Sequence, residues 1–260
     1  MKSARCVLRV LPDAVLLVRE ERETWRGPYR ETARSLLALR TESELPELLP
    51  RMLASEAAGV RKVAVVIADG FCRYLCLERP AGTRSMHDLE ALARMRFQAS
   101  FGDSPEDWLF HSDRSVFAHQ DLVVAVSRPF LRALEAGLAA AGKRASGVIP
   151  FWIHCANASG LERRGAHWVV ASEPGTHVLG LFDGHRCVGV RRMRHASGDA
   201  LDTLIAREQS LYPSLETARV SAWGERLAPA ATRVAQLVHA DAPPGVPALG
   251  TQTAPARRVA

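Results

Sequence analysis

Cys72 and Cys76 stand four residues apart in an alternating apolar run, a spacing that places both thiols on one face of a strand. Two thiolates so placed begin a metal site, but no second Cys or His pair follows at ligand spacing, and buried structural thiols are the simpler reading. His154-Cys155 and His185-x-Cys187 bring a base next to a nucleophile in sequence, without an identifiable third group to orient the base. Ser172-Glu173 and Ser221 lack the G-x-S-x-G elbow that exposes a hydrolase serine. The acidic clusters Glu42, Glu44, Glu47 and Asp103, Glu106, Asp107 suit solvated helix starts or loops better than paired catalytic carboxylates. Arg186, Arg191, Arg192 and Arg194 form the densest basic patch, which reads as a solvated hairpin face, with anionic headgroups or an acidic partner segment as the alternative. No catalytic residue, metal ligand or cofactor is assigned from these residues.

The composition limits what these residues can serve. At a typical size of about 150 residues per domain, 260 residues make one large domain or two small ones. Hydrophobic residues at 47% and charged residues at 24% exclude wholesale disorder. A net charge of +6 is too scattered to argue for nucleic acid. The five cysteines are odd in number and irregular in spacing, so a disulfide framework is not expected and a reducing compartment is. No apolar run approaches the ~18 residues of a spanning helix. The N-terminal stretch, interrupted by Arg9 and Asp13, makes a poor signal peptide. The expectation is a cytoplasmic chain that reaches a membrane only through a partner.

The elements that must hold these side chains follow from periodicity. Arg5 to Leu11 and Ala14 to Arg19 read as a hairpin turning at Pro12-Asp13. Residues 20–31 suggest an edge strand broken at Gly27-Pro28. Leu36, Leu37 and Leu39 suggest a short helix, and Leu45 to Leu53 a further helical stripe blurred by Pro46 and Pro50. Residues 62–79 read as two strands in a hairpin around Asp69-Gly70. A helix follows from Ser85 with Leu89, Leu92, Ala93 and Phe97 on one face. Strands are expected at Trp108 to His111 and Leu122 to Ser127, then a helix from Pro129 stopped by Gly142. Val148 to Ala158 is expected to begin as a strand. His167 to Ser172, Val178 to Phe182 and Arg186 to Val190 form strands turning at Glu173-Pro174-Gly175 and Asp183-Gly184. A helix from Asp199 to Tyr212 and a strand at Val220 to Trp223 complete the order. Residues 241–260, rich in Pro, Gly, Ala and Thr, read as a disordered tail. Trp25, Trp108, Trp152, Trp168 and Trp223 are expected mostly in the core or at subdomain interfaces.

Four stretches together carry a family resemblance: LRVLPDAVLLVREE, VAVVIADGFCRYLCLERP with the helix LEALARMRF, DLVVAVSRPFLRALEAGLAAAGKRASGVIP, and HWVVASEPGTHVLGLFDGHRCVGVRR. Over residues 5–224 the chain resembles the actin-like fold of the type IV pilus assembly protein PilM and of the cytoplasmic region of the type II secretion protein GspL. The resemblance implies an α/β chain of mixed sheets in two lobes. The first is expected at 1–160, with 62–127 as an inserted subdomain, and a shortened second lobe at 161–240.

Actin-like ATPases hold phosphates between two hairpin turns of Asp-x-Gly type, where backbone amides point at the phosphates. At the matching positions here stand Pro12 and Asp13 without a glycine, and Ser172, Glu173, Gly175 and Thr176 without a leading Asp. Pro12 and Pro174 lack the N–H a phosphate needs. The glycine pair near the adenine is reduced to Gly224 beside Trp223. The resemblance therefore implies a non-catalytic scaffold without cofactor. Its partner would be a bitopic inner-membrane assembly protein whose short cytoplasmic segment docks between subdomains, with a homodimer left open. The alternative is a nucleotide-binding ATPase or switch.

Overall fold

The computed structural model describes residues 3–22, 29–80, 85–112, 120–161, 165–194, 201–213 and 219–224. In chain order these contain β1 (Ser3–Val10), β2 (Ala14–Arg22), β3 (Arg30–Ala38), α1 (Leu45–Glu56), β4 (Lys62–Ile67) and β5 (Cys72–Glu78). Next come α2 (Met86–Phe101), β6 (Trp108–Ser112), β7 (Gln120–Ser127), α3 (Arg128–Ala140), β8 (Arg144–Pro150) and α4 (Phe151–Ala158). The last are β9 (Ala166–Glu173), β10 (Thr176–Asp183), β11 (Arg186–Arg194), α5 (Leu201–Gln209) and β12 (Arg219–Gly224). Residues 241–260, Trp25 and Gly27-Pro28 lie outside the described residues.

The strands form a five-stranded sheet in the order β3-β2-β1-β4-β8, a four-stranded sheet β11-β10-β9-β12 and a three-stranded sheet β5-β7-β6. The two larger sheets share one plan. Each begins with an antiparallel three-strand meander, and a later strand returns parallel to the first. By contact the chain divides into two units, Met1–Phe71 with Val126–Phe151 and Cys72–Ala125 with Trp152–Ala260.

In the first unit, two sequence expectations give way to pairing. Leu36 and Leu37 lie in β3 rather than in a helix, opposite Leu16 and Val15 of β2. Three leucines in four residues suit either period. The open edge of β2 settles the matter, since strand preference is set by neighbours more than by the residue. Lys62–Ile67 does not form a hairpin with the strand after Asp69-Gly70. It pairs in parallel with both β1 and β8, while β5 belongs to another sheet. Its run of Val63 and Val65 to Ile67 is buried, as befits an interior parallel strand covered on both faces. Asp69–Phe71 is a single 3-10 turn at the change of sheet. The strand expected to open the inserted subdomain is thus part of the five-stranded sheet, and the three-stranded sheet starts at Cys72.

The helices of this unit meet closely. α1 buries Leu45, Leu49, Met52 and Leu53, a stripe at helical spacing. A Cβ on Gly137 of α3 would lie 2.6 Å from the Leu45 carbonyl oxygen, so the crossing requires glycine there. Phe71 stacks on Phe130 at 4.0 Å. Val148 to Pro150 ends β8, and the helix α4 starts at Phe151, earlier than the apolar run alone suggests.

In the second unit the inner strands β9 and β10 of the four-stranded sheet are covered on both faces. Leu201 and Ile205 of α5 pack on Trp168, Val170, Leu179, Leu181, Val220 and Ala222. On the opposite face lies Trp152, the first α4 residue in this unit. It is fully buried, and its Nε1–H donates to the Val169 carbonyl at 3.0 Å. Its ring stacks on Phe182 at 5.7 Å and meets Tyr74 edge-on at 5.1 Å. A Cβ on Gly180 would fall 1.9 Å from this ring.

The three-stranded sheet is covered by α2 through Leu89, Ala93 and Phe97, packed against Leu77, Val123, Trp108 and Ala125. Ser85 and Asp88 close the helix N-terminus as a reciprocal capping box, and Gly102 ends it at φ 73°. Asp121, buried at 1% exposure, receives two hydrogen bonds from Arg79, 2.5 Å from Nε and 2.7 Å from Nη2.

Gly180→Ala is expected to lower stability by about 3 kcal/mol, because the rigid Trp152 ring cannot yield to a new Cβ. The check is a urea midpoint well below that of the parent chain at unchanged slope. Arg79→Ala strands the Asp121 carboxylate in the interior and should cost about 3 kcal/mol, with Arg79→Lys intermediate. An unchanged midpoint for Arg79→Ala would show that Asp121 finds another partner.

Candidate functional site

The residues that the resemblance places around a nucleotide lie on two hairpins and one strand end. In the first unit, Leu11, Pro12 and Asp13 link β1 to β2. The Leu11 amide donates to the Ala14 carbonyl at 2.8 Å, and the Asp13 carbonyl accepts from Leu39 N–H at 2.8 Å. Pro12 and Asp13 are exposed. With the Leu11 amide committed and Pro12 lacking one, two of the three turn residues have no N–H for a phosphate.

The second hairpin is tighter. β9 ends at Glu173 and β10 starts at Thr176, in register with it, so the turn itself is Pro174-Gly175. Proline fixes the first turn position, and Gly175 takes φ 73° at the second, the pattern of a type II turn. Of these two residues only Gly175 carries an amide. Ser172 and Glu173, which precede the turn, are buried, and Thr176 is half-buried. Gly224 ends β12 at φ 131°, and a Cβ there would meet the Ser172 carbonyl oxygen at 1.9 Å. Thus Ser172 and Gly224 do come together, in direct backbone contact.

The sheet also makes two His–Ser pairs that the sequence reading does not identify. His177 Nδ1 lies 2.8 Å from Ser172 Oγ, and His167 Nε2 lies 2.8 Å from Ser221 Oγ. The signal for the first was present: Ser172 and His177 are symmetric about Pro174-Gly175, so a tight hairpin must place them opposite one another. The second needed the parallel pairing of β12 with β9, which local sequence does not encode. All four side chains are at most 9% exposed. Buried this way, they satisfy each other's hydrogen bonds inside the sheet.

Asp69 is a further buried carboxylate, 1% exposed, at the carboxyl end of β4. Beside it the Ala68 amide donates to the Val10 carbonyl at 2.8 Å, so Asp69 adjoins the end of β1. Ligands of open α/β sheets gather at such strand ends, and an Asp directly after an apolar strand was the available cue.

The remaining candidates are largely absorbed into structure. Of the basic patch, Arg191 pairs with buried Glu208 at 3.1 Å, and Arg192 Nη1 donates to the Cys72 carbonyl at 3.5 Å. Burial, with Arg192 nearby, pushes the Arg73 guanidinium below its ordinary value. In the acidic clusters, Glu44 accepts from the Arg40 amide, Glu106 pairs with Arg94 at 3.0 Å and Asp103 with Arg73 at 3.6 Å. Trp108, Trp152, Trp168 and Trp223 are buried as expected. Among the described residues, no group of three His, Cys, Asp or Glu is arranged to hold a metal, and no helix is long and apolar enough to cross a membrane. Cys72 is buried, while Cys76 on the same face of β5 is half-buried and lies against Cys187.

No protein-family model matches the chain, and no curated protein matches it in sequence. Solved structures do. The chain is similar to one in a PilM-PilN type IV pilus biogenesis complex, with a TM-score of 0.59 and 14% identity over 88% of this chain and 84% of that one. It is likewise similar to the cytoplasmic domain of EpsL, an inner-membrane component of the type II secretion system of Vibrio cholerae. There the TM-score is 0.56 and the identity 17% over 87% and 86% of the two chains. A Bacteroides thetaiotaomicron protein of unknown function with an actin-like ATPase fold aligns at a TM-score of 0.54 and 9% identity over 86% and 82%. The chain has a mixed α/β, actin-like fold of the kind seen in PilM and in EpsL, as the resemblance in its sequence implies.

Because both hairpin turns offer so few amides, titration with ATP and Mg²⁺ is expected to give neither binding heat nor a rise in melting temperature. A low-micromolar dissociation constant, or nucleotide carried through purification, would overturn this reading of the turns.

Proposed function

We propose that the chain is a non-catalytic scaffold of a pilus-assembly or type II secretion-like platform, working in the cytoplasm at the inner membrane. In this reading it has lobes at 1–160 and 161–240 and binds the short cytoplasmic segment of a single-span membrane partner. The observation that carries the proposal is the likeness in fold, over nearly the whole chain, to a pilus-biogenesis complex of PilM with PilN and to an inner-membrane secretion component. The turn geometry supports the same reading from the opposite direction, since two short, proline-bearing hairpins favour an actin-like fold used for contact over one used for phosphate chemistry.

A scaffold of this kind needs only the physics of peptide recognition. An extended segment gains main-chain hydrogen bonds along a sheet edge and specificity from alternate side chains. The sheet orders leave β3 and β8 at the edges of one large sheet and β12 at an edge of the other, whose β11 edge is met by β5. A second copy of the chain is an alternative user of such an edge, which is why a homodimer belongs to the proposal.

Affinity capture of the full chain from detergent-solubilised membranes of its own cell should retain a single-span membrane protein. A synthetic peptide of that protein's cytoplasmic segment should then bind the purified chain in calorimetry without nucleotide. Peptide binding that requires ATP and Mg²⁺ would replace the scaffold by a switch. Failure of every membrane partner's segment to bind would remove the platform from the reading.

A further inference from the structure

The half-buried thiol of Cys76 and the buried thiol of Cys187 lie 3.5 Å apart, although 111 residues separate them in sequence. Cys76 is on β5, an edge of the three-stranded sheet, and Cys187 is on β11, an edge of the four-stranded sheet. The contact is therefore made by two sheets meeting at their edges, where Arg192 also reaches the Cys72 carbonyl. We infer that Cys76 and Cys187 form a reversible disulfide that ties these two sheets together when the chain meets a peroxide.

The geometry suits bond formation. A disulfide is about 2 Å long, so the sulfurs must close by about 1.5 Å, within reach of small side-chain rotations. Cys72, on the same face of β5, is about 13 Å along the strand from Cys76 and does not compete. Cys187 also donates to the Gly189 carbonyl at 3.5 Å, which holds its side chain in place beside Cys76. The Tyr212 hydroxyl packs onto Gly189, where a Cβ would lie 2.0 Å from it, and covers the backbone next to the pair.

The two thiols are unequal, and that orders the steps. Cys76 is the more accessible. The hydrogen bond with Cys76, followed by burial, pushes the Cys187 thiol well above its ordinary value, so it stays protonated. The Cys76 thiolate attacks one peroxide oxygen; an S–O bond forms, the O–O bond breaks, and hydroxide leaves to be protonated to water. The Cys187 sulfur then attacks the resulting sulfenic acid; the S–S bond forms, the S–O bond breaks, and the Cys187 proton leaves with the departing oxygen as water. Two thiols are oxidised to one disulfide and the peroxide is reduced to two waters, and an added dithiol reverses the change.

The test treats the purified full chain with hydrogen peroxide under native conditions. Intact mass should fall by two hydrogens, non-reducing peptide mapping should join the Cys76 and Cys187 peptides, and dithiothreitol should restore the parent mass. The oxidised chain should show a higher urea midpoint, because the bond closes a long loop in the unfolded state. Cys76→Ser should abolish the cross-link, whereas Cys72→Ser should leave it intact. Oxidation of Cys76 to sulfinic acid without a cross-link, a cross-link through Cys72, or a lower urea midpoint on oxidation would each overturn the inference.

Discussion

Trp152 lies flat on the backbone of β10 because residue 180 is glycine, and much of the second unit is organised around that contact. The ring reaches β9 through its hydrogen bond to Val169, β10 through Gly180 and Phe182, and β5 through the edge of Tyr74. A single indole thus joins three strands from two sheets. A smaller side chain would leave a cavity and an unmatched carbonyl in a water-free region, and a larger residue at 180 would push the ring out. With Trp152 fixed on one face and α5 on the other, β9 and β10 are buried on both sides, whereas the edge strand β11 keeps exposed arginines. Trp168–Ala171 and Val178–Phe182 consequently read as continuous apolar runs rather than alternating ones.

That double burial also determines the fate of the polar residues in the sheet. Ser172, Ser221, His167 and His177 are held where water cannot hydrogen-bond to them, so they must pair with one another. The register of β9 with β10 and β12 provides both pairs at 2.8 Å. The same registry brings Gly224 onto the Ser172 carbonyl. Ser172 and Gly224, which the resemblance places beside a nucleotide, are engaged in the sheet's own hydrogen bonding and packing. The two proline-bearing turns complete the picture, because proline stiffens each hairpin while removing a donor, and the Leu11 amide is already bound to Ala14.

Much of the fold is legible in the sequence, where the determining forces are local. Pro174-Gly175 and Asp183-Gly184 announce the β9–β10–β11 meander, and Ser85 with Asp88 marks the start of α2. Two elements were illegible for one reason. Leu36 and Leu37 belong to a strand because β2 offers an edge, and Lys62–Ile67 leaves its sequence neighbour because β1 offers a parallel one. Neither fact is written within the segment itself. The candidate site divides along the same line: His177 opposite Ser172 follows from a tight turn, whereas His167 opposite Ser221 and Cys76 against Cys187 depend on contacts across 54 and 111 residues.

Cysteine counting illustrates how far composition can mislead at this scale. Five thiols at irregular spacings give no disulfide framework to expect, and Cys6, Cys72 and Cys155 are buried in the interior. The argument says nothing about a single pair that the fold brings together at the meeting of two sheet edges. Sheet edges are where a β protein is least self-contained, because backbone groups there lack the neighbour that interior strands have. In this chain the edge of β11 is met by β5 and its side chains, through an arginine to a carbonyl and a thiol to a thiol. Joining edges by side chains rather than by a full backbone ladder leaves the two sheets in contact without fusing them, and it places the more accessible thiol of the second unit's contact at that joint.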